Sequence, residues 1–296
     1  MKKLAIVGIG VGVLSVGLYF GTNLYGTKVA EAKVNKLIDG MEEENLTVEY
    51  KDISFHPLAQ DVHVKDVKIQ STDDLAEVTI EKIVIRDIDE KSDVPTVFDG
   101  SIQGLVVDLN QPEQLEMADF LKQAGYDSEL SFDIDTQYRY NKTKREMTVE
   151  KFKISADQVG ELSVNMKLGN IDLTEAESQE TTLVNNSDMI FHGFELTYRD
   201  GSFAEKFLAT MAAEDGKSLD SVKSELTSQL TGASQLFLSS DNELATNALD
   251  EVITFIENPK GLSISIRPEQ PMQLVTLVTE NPDNWLDMLN IEIKSF

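Results

Sequence analysis

Hydrophobic positions change their period several times along the chain. From Leu4 to Tyr25 they are nearly continuous, LAIVGIGVGVLSVGLYFGTNLY, with Lys2 and Lys3 before them and no charge again until Lys28. As a helix at ~1.5 Å per residue this run is about 33 Å long, enough for a hydrocarbon core of about 30 Å. It predicts a short cytoplasmic start (1–3) and a transmembrane anchor (4–25), with Tyr19, Phe20 and Tyr25 at the level of an interfacial aromatic belt. Ala30-Glu31-Ala32 resembles a cleavage site but lies far beyond the apolar run, so the segment reads as uncleaved. Gly8/Gly12 and Gly17/Gly21 form two small-xxx-small pairs, a candidate contact face for a second membrane helix. Over 26–45, Ala30, Val34, Leu37, Ile38 and Met41 recur at helical spacing and predict an amphipathic stalk.

The period then falls to two. LTVEYKDISF (46–55), DVHVKDVKI (61–69), EVTIEKIVIRDI (77–88), SIQGLVVDL (101–109), LSFDIDTQYRY (130–140), MTVEKFKIS (147–155) and ELSVNMKLG (161–169) alternate and are rich in β-branched and aromatic residues. They predict a large, mainly antiparallel, curved sheet over 46–172, with turns at 141–146 and 155–161 and one short helix in QPEQLEMADFLKQAG, closed by Gly125. Residues 173–188 are polar and aperiodic and read as a linker or loop. The C-terminal region, 189–296, opens with a strand (189–200) and continues with three helices. Ser202, Ser218 with Asp220, and Asp241 with Glu243 mark their starts; Gly216, Gly232 and Pro259 mark their ends. The expected class is therefore α+β: an N-terminal transmembrane helix, a large antiparallel curved sheet, and a helical C-terminal half packed on or beside it.

Charge removes some functions from this picture. With 26 basic and 52 acidic side chains the formal net charge is −26, which opposes nucleic acid and bare anionic lipid surfaces. The absence of cysteine removes disulfides, thiolate metal sites and cysteine nucleophiles. No phosphate-binding loop, HExxH, EF-hand loop or GxSxG elbow is present, so no catalytic, cofactor or metal residue is assigned.

The densest polar chemistry is in ISFHPLAQDVHVKDVKIQ, where His56, Asp61, His63 and Asp66 stand close in sequence. Alternation reads it as a hairpin, with His56 before Pro57 at the turn and His63 on the polar face beside Lys65, whose charge would oppose a bound cation. Its apolar phase shifts at Lys65-Asp66, as a β-bulge would produce. His192 reads as a structural strand residue, Arg267 as half of an ion pair, and Trp285 as the anchor of a C-terminal helix.

The order of basic start, membrane helix, stalk and the strand-turn-strand VEYKDISFHPLAQDVHVKDVKI resembles the opening of the AsmA-like proteins, bacterial inner-membrane-anchored proteins with large periplasmic β-rich domains. Val62, Val64, Asp66, Val67 and Ile69 match that family's second strand, and Ile80–Ile88 and Gly100–Glu113 are similar to its next repeats. The resemblance covers residues 1–115. It implies a single-pass inner-membrane protein with the chain after about residue 26 in the periplasm. It also implies lipid handling along an apolar sheet face, for which Phe55, Val62, Val64, Val67 and Ile69 are the candidates. It supplies no catalytic residue, and the C-terminal region has no counterpart in it.

The expected function is a non-enzymatic, membrane-anchored envelope protein that binds lipid or another hydrophobic ligand, or acts as an envelope scaffold. One alternative is an envelope hydrolase with a carboxylate pair. The other is a structural partner of a membrane protein through the glycine-lined helix.

Overall fold

The structure, a computed structural model, describes residues 46–71, 77–88, 96–110, 116–171, 188–239, 242–279 and 288–296. The chain divides into two compact units: Met1–Tyr140 with Glu150–Ala156, and Asn141–Val149 with Asp157–Phe296.

In the first unit β1 (Leu46–Glu49), β3 (Asp61–Ser71), β4 (Glu77–Ile88), β5 (Val97–Asp108) and β6 (Glu129–Asn141) follow one another in the sheet. The short β2 (Asp52–His56) pairs β3 beside β1, opposite Lys65–Asp61. Period-two alternation sends Val62, Ile80, Phe98 and Ile102 to one face, each 2 % exposed or less. Helix α1 (Glu116–Gln123) buries Leu121 and stops where Gly125 takes φ +75° and Tyr126 N–H donates to Leu121 O.

A line of irregularities crosses these strands. In β3 the buried positions move from Val62/Val64 to Val67/Ile69 across the exposed Lys65-Asp66, and Asp66 has φ +51°. In β5, Gln103-Gly104 stand against the single Asp133 of β6; Gly104 has φ +63°, and its N–H donates to Asp133 Oδ1 at 2.8 Å. At each point the side-chain phase flips, so the apolar residues stay on one face; the β5–β6 register shifts there as in a bulge, while β3 and β4 keep step across Asp66, where a bulge is expected from the sequence.

β7 (Glu146–Ala156) is shared, its residues up to Val149 in the second unit and from Glu150 in the first. The second unit orders β8 (Gly160–Gly169), β9 (Ile190–Asp200), β10 (Gly261–Ile266) and β12 (Ile291–Ser295) antiparallel, with β11 (Met272–Gln273) on β9. Its helices are α2 (Phe203–Glu214), α3 (Leu219–Ser239), α4 (Glu243–Glu257) and α5 (Leu274–Thr279). Leu208, Ala212 and Val222 form a helical core with Leu219, Leu226 and Ile256 against it.

Two of the expected helix starts differ in detail. Ser202 makes no cap bond and donates instead to Gln158 O; Asp200 Oδ1 accepts from Ala204 N–H in its place. Asn242, not Asp241, caps α4, accepting from Ala245 N–H at 3.0 Å. The expected stop at Gly232 is passed over: α3 continues to Ser239, at a local cost of about 1 kcal/mol relative to alanine. What carries it through is packing, since Ser234, two residues on, is buried and donates to Asp250 of α4 at 3.0 Å.

The expected fold class and placement are corrected here. The protein is mostly antiparallel sheet, and no helix among the described residues is long and apolar enough to cross a membrane. The α+β class with an N-terminal transmembrane helix is replaced accordingly. The single-pass inner-membrane location, with its periplasmic domain, is withdrawn with it. The anchor (4–25), with Gly8, Gly12, Gly17 and Gly21, and the stalk (26–45) lie outside the described residues, as do Trp285 and all of 173–188 except Asp188.

Candidate functional site

The expected apolar sheet face is a core surface. Val62, Val64, Val67 and Ile69 are 2–6 % exposed, and Phe55, opposite Val62, is half-buried. These side chains are packed away from solvent.

The opposite face of the same hairpin holds the polar cluster. β2 and β3 are joined by residues 57–60, where Gln60 takes φ +58° and donates to His56 O at 2.8 Å. That turn places His56 directly across from Asp61, and His63 follows two residues later on the same side as Asp61. His56 Nδ1 lies 3.1 Å from Asp61 Oδ1, and His63 Nε2 lies 3.2 Å from Asp61 Oδ2. The two rings meet edge to face with centroids 4.0 Å apart. Asp61 and His63 are 15 % and 17 % exposed, while His56 is 46 % exposed.

Of the four polar residues picked out by sequence, three converge and the fourth does not: Asp66 turns to Lys51, 3.4 Å away. Lys65, expected to oppose a cation, is directed at Asp52 at 3.8 Å. The signal available in the sequence was the four-residue turn, which makes positions 56 and 61 cross-strand partners and aligns 63 with both.

A second polar group lies farther along the first unit. Arg86 reaches Asp99 at 2.8 Å, Ser101 Oγ at 2.9 Å and Asp135 at 3.8 Å, and Lys151 reaches the other oxygen of Asp135 at 3.1 Å. Arg86, Asp99, Asp135 and Lys151, with Thr136 and Gln137, line a recess of about 230 Å³. Each carboxylate is held by a cation, unlike the paired free acids a hydrolase would use.

In the second unit His192 is the extra residue of a bulge, since Lys167 faces Gly193 while Leu168 faces Phe191. Burial, and then the Lys167 cation, hold its pKa below the ordinary 6.5 against the opposing pull of Glu146. Arg267 pairs with Glu195 at 3.5 Å.

The helical pair α3–α4 presents the other notable surface. Leu236, Phe237, Leu238 and Leu244 are 72 %, 40 %, 59 % and 39 % exposed. Successive helical residues point about 100° apart, so 236–238 ring the end of α3 with apolar side chains. From Leu226 to Ser239 there is no charged residue, in a chain of net charge −26. Alongside, Ser224, Thr227, Thr231, Gly232 and Ile253 line a shallow groove of about 530 Å³.

Comparison with known proteins supplies relatives of different extent and no activity. A protein-family model described as "Uncharacterized protein" matches residues 153–295. The chain is also similar, at 23 % identity, to an "Uncharacterized protein" of Aquifex aeolicus (strain VF5), with 99 % of this chain and 100 % of that protein covered.

Proposed function

We propose that this is a non-enzymatic scaffold protein that engages an apolar segment of a partner protein through the end of the α3–α4 pair. The observation that carries the reading is the exposure of Leu236, Phe237 and Leu238 at the end of an uncharged helical stretch. Contiguous exposed apolar side chains are costly to keep in water and mark contact surfaces. In a strongly acidic chain the uncharged stretch 226–239 is where electrostatic repulsion of a partner is weakened. A protein partner is favoured over lipid for two reasons. The sheet face that would have cradled an acyl chain is occupied by the protein's own core. The net charge of −26 also opposes an anionic lipid surface.

The test places a photo-crosslinking amino acid at position 236 or 238 of the full chain, in cells that make the protein, with the exposed Glu269 as control position. The expected result is one discrete protein adduct from the tip, absent from position 269, and lost from position 236 when Leu238→Ser is added. A tip that yields no adduct, yields the same adducts as position 269, or yields lipid adducts alone overturns the reading. Circular dichroism of each variant separates lost contact from lost fold.

A further inference from the structure

The structure assigns a binding site for a late divalent transition metal, of the zinc, cobalt or nickel kind, to His56, Asp61 and His63 on the β2–β3 hairpin. The assignment is independent of the scaffold reading, because the two surfaces belong to different units.

The geometry comes from the register. His56 and Asp61 are a direct cross-strand pair, and His63 is the next residue on that face of β3, so three side chains with donor atoms stand over one patch of sheet. One donor atom from each lies within 4.8 Å of the others, and the two nitrogen–oxygen separations are 3.1 and 3.2 Å. A metal bound at about 2.0–2.2 Å from each of three ligands holds neighbouring donors roughly 3.0–3.5 Å apart; the two short separations run to different oxygens of Asp61, so side-chain rotation has to bring both nitrogens and the carboxylate from within 4.8 Å to that spacing. At present each imidazole N–H donates to one oxygen of Asp61. When the ring proton sits on the other nitrogen, the same His56 Nδ1 and His63 Nε2 offer lone pairs to a metal, and Asp61 neutralises part of its charge.

The donor chemistry selects the ion. Two imidazole nitrogens and one carboxylate suit zinc, cobalt, nickel or copper, whereas calcium and magnesium require shells built of oxygen. Three protein ligands leave the remaining positions to water or to a further ligand, and the half-exposed His56 puts that opening on the solvent side. The net charge of −26 raises the local concentration of cations, and Lys65, the nearest cation along β3, is drawn off to Asp52.

The metal would act as a clip. Among the described residues β2 pairs with β3 alone, which leaves its end at His56 one neighbouring strand there to hold it. Coordination from both strands would tie that end down.

The experiment titrates the full chain, stripped of metal by chelator, with Zn²⁺ in a calorimeter, and with Co²⁺ by visible absorption. One ion per chain is expected, with d–d bands from bound cobalt and slowed amide exchange confined to β2 and the first half of β3. His56→Ala, His63→Ala and Asp61→Asn are each expected to weaken zinc binding by at least about tenfold, and His192→Ala to leave it unchanged. Thermal melting of the metal-free variants checks that each still folds. Two results would overturn the assignment: no saturable binding, or binding that survives His56→Ala and His63→Ala and so belongs to scattered surface carboxylates. For a variant that does not fold, the wild-type exchange pattern decides, since protection elsewhere than β2–β3 places the ion at another site.

Discussion

The sheet of the first unit and the helical pair α3–α4 of the second handle apolar side chains in opposite ways. Along β3, β4 and β5 the apolar residues are numerous and sealed, with Val62, Ile80 and Phe98 each 2 % exposed. At the end of α3 they are few, and Leu236 is 72 % exposed. Apolar content therefore points away from the proposed contact surface here, and exposure points towards it. The apolar face that these strands keep through their phase shifts is consumed in building the core.

The sharpest way to break that comparison is truncation on both sides. Phe98→Ala removes a ring stacked on Tyr138 at 5.9 Å and is expected to destabilise the protein by about 3–5 kcal/mol in urea unfolding. Leu236→Ala is expected to change stability by no more than ~0.5 kcal/mol. Similar losses at the two positions would mean that the α3 tip is structural.

A glycine pair tests the backbone in the same two regions. Gly104 needs its positive φ, and an added Cβ would meet Glu81 Cβ at 2.8 Å, so Gly104→Ala is expected to cost more than about 1 kcal/mol. Gly232 lies inside α3 with nothing in the way of a Cβ, so Gly232→Ala is expected to stabilise by roughly 0.5–1 kcal/mol. Denaturant midpoints moving the same way in both variants would contradict the placement of one of them.

A smaller effect is expected from Ser234→Ala, which removes the hydrogen bond joining α3 to Asp250. A loss of about 1 kcal/mol should appear in the same assay.

The smallest concerns His192. Its folded-state pKa lies below 6.5, so around and just below that pH the unfolded chain binds more protons than the folded one. The contribution of neutral His192 is complete above 6.5 and declines as pH falls from there to the lowered value. His192→Gln should flatten this part of the stability profile, measured by urea unfolding between pH 5 and 7.5. An unchanged slope would show that the bulge does not disfavour the imidazolium.

Much of the sheet was legible because strand alternation is a local property. EVTIEKIVIRDI is β4 over its whole length, and the phase shift at Lys65-Asp66 appears in the structure as two successive exposed positions, the second of them left-handed. Helix punctuation was less legible. Gly232 carries the same sequence signal as Gly216, yet Gly216 ends α2 with φ +65° while Gly232 is carried through by packing around Ser234. Ser202 holds the expected N-cap position of α2, but its hydroxyl is drawn to Gln158 O, leaving Asp200 to accept from Ala204 N–H.

The polar hairpin divides along the same line. Sequence alone determined that His63 stands on the polar side of β3 and that His56 adjoins a turn, because pleating sends successive residues to opposite faces. Only the tertiary structure decided that the two imidazoles share one carboxylate. That depends on the turn at 57–60 setting the register, and on Lys65 finding Asp52 instead of the histidines. Likewise the pattern Val62, Val64, Val67, Ile69 determined an apolar face, while its closure came from the packing of residues far apart in the chain, which no local period encodes.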